Sequence, residues 1–401
     1  MDFTFTEEQQ AATEAAKAVF SGVVPDGVPS PALVPGAVAE DIDRPLWAGL
    51  ASGDLLSLTL SPEHGGAGLD LVALCLVLRE SAKVLARVPL LETCAVAMAL
   101  QRYGNPRLAA ELLPRVGRGE LVLTAGANGR TGHDPAELAV TARREAAAGT
   151  DAGAGAGSDG AGAGGGADSD GGWVLDGTQS AVPWAQAADW IAIPAHIDEG
   201  RAVVALIQPA QDGVTLAEQV STSGERFAEV RLESVRVDGQ ALIDEPGAWE
   251  WLRALLTTGT CALALGLGEA VLAMTSQYTG KREQFGFPVA TFQSVAVQTA
   301  DRYIDLRAME VTLWQAAWRI STGAAGALPA EGDIAVAKIW ASDGVRRVVQ
   351  TAQHLHGGFG ADTDYPLHRF HAWAKQIELS LGPAAAHEEA LGDLLAAHLL
   401  G

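Results

Sequence analysis

The sequence predicts an α+β chain in three zones: a helical N-terminal domain (1–120), a middle β domain (121–243) and a C-terminal helical bundle (244–401). Three observations carry this. Apolar residues recur at helical spacing up to about residue 120 and again from about residue 247. Between those limits the period shortens to two, as half-buried strands require. The 401 residues are enough for two or three domains, each with its own core.

In the first zone, LVALCLVLRESAKVL (71–85) and CAVAMALQRYG (94–104) read as helices, and SPEHGGAGLD (61–70) punctuates them with a paired-glycine loop. In the middle zone, AEVRLESVRVDG (228–239) places Val230 and Leu232, then Val235 and Val237, on one face. WVLDG (173–177) and DWIAIPA (189–195) read the same way. The intervening stretch 147–172 is almost wholly Gly, Ala, Ser and Asp, a composition that buries little apolar surface, so it reads as a loop between strands. It lacks the strand–turn–helix spacing of a phosphate-binding glycine loop. In the last zone, Ala254–Gly268 is uncharged, is broken by Glu269 and is too short to span a bilayer, so it reads as a buried helix. Phe292, Val295, Thr299, Tyr303, Leu306, Leu313, Ala317 and Ile320 mark a second helix. Ile334, Ala337, Ala341, Val345, Val348, Ala352 and Leu355 mark a third, closed by Gly357 and Gly358. Long one-striped helices with short connections make an antiparallel bundle.

The formal charge of −22 opposes nucleic acid or an anionic membrane as partner, since phosphate contacts need clustered cations. The opening MDFTFTEEQQAATEAAKAVF lacks the charged and apolar regions of a signal peptide, which predicts a cytoplasmic protein. Cys75, Cys94 and Cys261 are far apart in apolar contexts, the pattern of buried thiols.

Two stretches carry chemistry. KREQFGFPVATFQ (281–293) sets two cations beside an aromatic-rich turn; a surface loop has no need of buried aromatics and a core segment none of paired cations, but a planar, anionic ligand would want both. HLHGGFGADTDYPLHRFHAWAKQIELSLG (354–382) groups His354, His356, His368 and His371. His354 and His356 lie roughly 200° apart around a helix, and no cysteine or acid stands at ligand spacing, so a zinc site is not expected.

With the α–β–α order, R-x-x-F-G…F-Q, G-G-x-G and D-Y-P together resemble the acyl-CoA dehydrogenase family. SPEHGGAGLD is similar to that family's Pro-Glu-x-x-Gly-Gly loop, and GWVLDGTQ to its Tyr-x-Leu-Asn-Gly-x-Lys strand. The resemblance implies an N-terminal helical domain, a middle β-barrel or sandwich and a C-terminal four-helix bundle. It also implies FAD as cofactor. Arg282, Phe285 and Gln293 would meet the adenosine–pyrophosphate half of FAD held by a neighbouring subunit, with a guanidinium fork suited to pyrophosphate. His354 stands where the family usually has Gln, and Gly357 and Gly358 would let backbone approach the cofactor.

The departures from the family lie in the other half of the site. The family's catalytic Glu occupies one of two positions, filled here by Leu381 and by Leu256 or Thr257. Its flavin-lining Thr-Glu-Pro-x-x-Gly-Ser-Asp loop corresponds to TAGANGRTGHD (124–134). Its Trp-x-Thr corresponds to Ala181-Val182-Pro183, and its Gly-Thr to Gly382-Pro383; each proline lacks an N–H. The expectation is a degenerate subunit of an actinobacterial α2β2 acyl-CoA dehydrogenase, of steroid side-chain type. A paralogous partner chain would bind most of the acyl-CoA and carry the Glu, and an electron-transfer-flavoprotein-like acceptor would follow. Two alternatives stand beside it: a self-sufficient homotetramer with Glu250 or Glu378 as relocated base, and a flavin-free scaffold relative.

Overall fold

A computed structural model describes residues 4–25, 31–39, 42–145, 172–197 and 200–398. Most of the glycine-rich stretch 147–172 lies outside the described residues.

Among the described residues five α-helices come first: α1 (Glu7–Phe20), α2 (Arg44–Ser52), α3 (Leu71–Lys83), α4 (Leu90–Tyr103) and α5 (Pro106–Gly117). α1 starts at a capping box, in which Thr6 Oγ1 accepts from Gln9 N (3.2 Å) and Thr6 N donates to Gln9 Oε1 (3.0 Å). The SPEHGGAGLD loop turns tightly because Gly66 has no side chain. A Cβ there would lie 2.1 Å from the Leu60 carbonyl oxygen.

Among the described residues eight strands follow: β1 (Leu123–Ala125), β2 (Val140–Arg144), β3 (Trp173–Pro183), β4 (Trp190–His196), β5 (Ala202–Ile207), β6 (Val214–Val220), β7 (Arg226–Val237) and β8 (Leu242–Ile243). They form one sheet in the order β6-β7-β3-β2-β4-β5-β8, with β1 parallel to β4. The two valine-bearing halves of β7 share one face because Ser234 takes a positive φ of 53° between them, and its N–H bonds Asp176 Oδ1 at 2.7 Å. This irregularity inserts the residue that restores the inward face.

The last zone holds α6 (Ala248–Lys281), a two-strand hairpin of β9 (Glu283–Gln284) and β10 (Phe287–Pro288), α7 (Gln293–Thr322), α8 (Ala330–His356), α9 (Leu367–Leu379) and α10 (Ala384–Ala397). α6, α7 and α8 pack mutually, and the fourth position of the bundle is shared by α9 and α10 against α8. By length and composition α6 could cross a membrane, but 78% of its most apolar window is buried in the bundle. It packs closely on α3, where a Cβ on Gly266 would lie 2.0 Å from the Arg79 carbonyl oxygen. Beside that contact, Arg79 Nε bonds Glu269 Oε2 at 2.8 Å and joins the first and last zones. All three cysteines are free and buried.

One residue of the expected stripes is misplaced. Tyr303 on α7 is exposed, as are Val297, Ile304 and Val311, while Leu306, Met309 and Leu313 face the core. α7 therefore carries two apolar faces, and the spacing alone merged them.

Candidate functional site

At one end of the bundle α6 stops at Lys281, and the chain turns through Phe285 and Gly286, with φ of 54° and 79°. Two successive positive φ values make the tight turn of a two-residue hairpin, which is unfavourable for a phenylalanine. Phe285 is 91% exposed, and its ring stands edge-on to Phe292 at 6.4 Å. Arg282 and Gln293 are exposed, and no carboxylate among the described residues lies at ion-pair distance from Arg282. The N-cap of α7, Phe292, offers no side-chain oxygen; its carbonyl accepts from Val295 N and Ala296 N, and the Gln293 and Ser294 N–H groups ahead of them have no side-chain cap.

The second segment meets the first through α6. Tyr278, one turn before Arg282, stacks on His356 (4.3 Å between centroids) and on Phe359 (5.7 Å). His356 is buried, its Nε2 3.1 Å from the Tyr365 hydroxyl, and burial holds its pKa below the ordinary imidazole value. His354, Gly357 and Gly358 are exposed, and a Cβ at either glycine would meet nothing within 4 Å. Gly357 needs its glycine for a φ of 62°. No crowding within the chain explains Gly358. Arg282, Phe285, Gln293, His354, Gly357 and Gly358 thus form an outward-facing set at one end of the bundle. Its unpaired guanidinium, exposed aromatic and uncapped helix start fit the nucleotide half of FAD approaching from outside the chain. Among the described residues no group of three or more histidines, cysteines or acids could hold a metal ion.

The interior half is a narrow, partly open pocket. Leu256 and Leu381 both line a cavity of about 90 Å³ between α3, α4, α6 and α9, whose wall also includes Pro183, Trp184 and Trp373. Thr257 is buried beside Leu256 but is not on that wall. Neither carboxylate considered as a relocated base reaches the cavity. Glu250 is exposed on a shallow groove with Arg201 and Arg253. Glu378 pairs with Lys375 Nζ at 2.8 Å and lies 3.9 Å from Arg346 Nε.

Asn128, buried, ties the three divergent segments together. Its Oδ1 accepts from Leu381 N (3.0 Å) and its Nδ2 donates to the Ala181 carbonyl (3.1 Å). Thr124 Oγ1 donates to the Pro183 carbonyl at 2.7 Å, and Ser180 N donates to Gly129 O at 2.9 Å. The Ala181 N–H is taken by Gln219 Oε1 at 2.8 Å. The N–H groups of Ser180, Ala181 and Leu381 are therefore already paired within the chain, and Pro183 has none to donate. The isoalloxazine half does not fit as the nucleotide half does.

Behind the Leu381 corner, Lys338 is 1% exposed and donates to Ser342 Oγ (2.7 Å), Glu378 O (3.1 Å) and Ile377 O (3.3 Å). It caps the C-terminus of α9, and burial lowers its pKa to about 8. His387, its pKa pushed down to about 4 by burial, is 2.8 Å from the Leu381 carbonyl through Nε2.

The sequence reading missed Glu92, in the first turn of α4 and on the cavity wall. Burial raises its carboxyl pKa to about 7, partly offset by hydrogen bonds from its own backbone and from the Trp184 side chain. The available signal was an acid set between Leu90-Leu91 and an apolar helix, LLETCAVAMAL.

The fold and these sites define a class: a three-zone α–β–α chain of flavoprotein architecture. Residues 6–120 match the acyl-CoA dehydrogenase N-terminal domain and residues 256–395 the acyl-CoA dehydrogenase C-terminal domain. The chain belongs to the acyl-CoA dehydrogenase family, a family of FAD-dependent oxidoreductases. It is 32% identical over 401 residues to the acyl-CoA dehydrogenase FadE27 of Mycobacterium tuberculosis, covering 99% of each chain. A chain of the ChsE4–ChsE5 complex from the same organism superposes with a TM-score of 0.83 at 32% identity, covering 99% of both chains. A chain of a variant Tcur3481–Tcur3483 steroid acyl-CoA dehydrogenase gives 0.83 at 34% identity over 98% of both.

Proposed function

We propose that this chain is the non-catalytic, cofactor-completing subunit of an FAD-dependent heteromeric acyl-CoA dehydrogenase. A paralogous chain supplies the catalytic Glu, the flavin-ring seat and most of the acyl-CoA site, in an α2β2 assembly in the cytoplasm. The observation that carries this is the contrast between the two halves. Arg282, Phe285, Gln293, His354, Gly357 and Gly358 face outward, whereas Leu256 and Leu381 stand at the family's acid positions on the wall of a narrow pocket of about 90 Å³. Bound FAD supplies the hydride acceptor. This chain's contribution is to clamp the pyrophosphate with Arg282, offer the Phe285 face and present backbone at Gly357–Gly358.

At about 90 Å³ the pocket is smaller than the ~150 Å³ cavity that accepts benzene, far less than an acyl group on CoA requires. Loss of a general base alone costs roughly 10²–10⁴-fold in rate. The ChsE4–ChsE5 and Tcur3481–Tcur3483 similarities support the heteromer and a steroid side-chain thioester as substrate class. An electron-transfer-flavoprotein-like protein is the proposed acceptor.

The test is purification of the chain alone and together with each candidate paralogue. The reading predicts a colourless, inactive chain that becomes yellow and active only in the complex. A yellow chain that dehydrogenates acyl-CoA unaided supports the homotetramer instead, and one that stays colourless with every paralogue supports the scaffold.

A further inference from the structure

Gly357 and Gly358 have no side chain to hold them and no crowding around them, since a Cβ at either would meet nothing within 4 Å. The bond from Gln353 Nε2 to the Gly357 carbonyl is long, at 3.3 Å. What fixes this corner is the residue on each side of it, His356 and Phe359. Tyr278, His356, Tyr365 and Phe359 close a ring of four aromatic contacts. Centroids lie 4.3 Å apart for Tyr278–His356, 5.3 Å for His356–Tyr365, 4.6 Å for Tyr365–Phe359 and 5.7 Å for Phe359–Tyr278. Arg282 N donates to the Tyr278 carbonyl at 2.8 Å, so the same ring ties the corner to the hairpin.

The polar bonds of this ring fix a proton. The Ala352 carbonyl can only accept, so His356 Nδ1, 2.8 Å away, carries the hydrogen. In the neutral imidazole Nε2 is then bare, and it accepts from the Tyr365 O–H at 3.1 Å. Burial, with the Tyr278 phenol next in effect, raises the Tyr365 pKa, so Tyr365 keeps the hydrogen it donates. The groups facing the imidazole are thus the Tyr278 phenol from α6, the Tyr365 phenol ahead of α9 and the Ala352 carbonyl of α8 itself. Burial lowers the His356 pKa below its ordinary 6.5, with the Ala352 bond working against that fall. A proton added to His356 fills Nε2 and turns it from acceptor to donor, which leaves the Tyr365 hydrogen without its partner.

We propose that His356 and Tyr365 are positioning residues that hold the Gly357–Gly358 backbone beside Arg282 for the nucleotide half of FAD, and that a proton on His356 releases it. This rests on the subunit reading above. The sign follows from burial. Below pH 6.5 an imidazole freed from the ring takes up a proton that the buried one refuses, so the released corner gains as pH falls.

In the full chain alone, nitrogen NMR of the histidines reads the tautomer and hydrogen exchange reads the amides of 357–361. The proposal expects Nδ1–H on His356, and faster exchange at the corner in both His356→Phe and Tyr365→Phe, each of which keeps an aromatic ring and removes the hydrogen bond. In the complex with the paralogous chain, equilibrium dialysis at pH 7 should show FAD held roughly 3–10-fold more weakly by either variant, as one lost hydrogen bond implies. The double variant should lose no more than either single one, because the two residues share one bond. As pH falls below 6.5, FAD retention should drop more steeply in the unmodified complex than in His356→Phe. If His356→Phe does not fold, Tyr365→Phe carries the exchange and retention tests by itself. An Nε2–H tautomer, unchanged exchange in the variants, additive losses in the double variant or matching pH profiles would overturn the assignment. A failed subunit reading looks different: no complex takes up flavin, while the exchange contrast in the chain alone remains.

Discussion

Replacing Glu92 with Gln removes an ionisable group while keeping its size and an oxygen for the Trp184 side chain. Burial raises the Glu92 carboxyl from 4.5 to about 7, with the hydrogen bonds from its own backbone and from Trp184 working against that rise. At ~1.36 kcal/mol for each tenfold change, this corresponds to about 3 kcal/mol. The sign follows from where the protons sit. Below about pH 4.5 both folded and unfolded chains hold the proton, and Glu92 carries no ionisation penalty. Between about pH 4.5 and about 7 the unfolded chain ionises while the folded chain does not, so folded stability falls with rising pH. Above that window the full penalty is present. Denaturant unfolding of the full chain and of Glu92→Gln, at fixed chain concentration across this range, isolates the group because the other carboxylates cancel in the difference. The gap should widen by about 3 kcal/mol in favour of the variant as pH rises past 7. Parallel pH profiles for the two proteins would refute the claim that this carboxyl is desolvated.

Arg282→Ala should leave the chain's fold unchanged, since the side chain is exposed, but weaken flavin retention in the complex by about 10–100-fold, as loss of a charge-assisted hydrogen bond implies; equilibrium dialysis of flavin reads this. Gly266→Ala should destabilise by about 3 kcal/mol or more, because its Cβ would meet the Arg79 carbonyl oxygen at 2.0 Å; a lowered Tm checks it. Leu381→Glu restores an acid at a family position but should give no acyl-CoA oxidation by the chain alone, because Pro183 and the Asn128 bonds still close the ring half. Turnover by that variant, measured with a dye acceptor, would show that the closure had been misread.

Much of the architecture was legible because period-two and period-3.6 patterns lie in separate zones of the chain. The two out-of-phase halves of β7 could be placed on one face even before the positive φ at Ser234 gave the reason. Tyr303 was not legible as exposed. α7 carries apolar residues on two faces, and spacing cannot tell the face covered by its own bundle from the one left open. The hairpin at 282–293 and the corner at 357–358 are far apart in sequence; the packing of α6 on α8, with Tyr278 stacked on His356 and Phe359, brings them to one end. Glu92 escaped notice because an acid in a helix's first turn reads as an ordinary partner of the helix dipole. Packing against Trp184 and the cavity, which no local pattern encodes, changes its character. The Asn128 ties are likewise tertiary: one amide bonds segments that lie more than fifty and more than two hundred and fifty residues away.

The most direct test of the division of labour is the count of FAD per chain in the purified complex, taken together with acyl-CoA oxidation by each chain separately. The account predicts one FAD for each pair of unlike chains, with no flavin and no oxidation from this chain by itself. One FAD on every chain, or unaided turnover by this polypeptide, would contradict it.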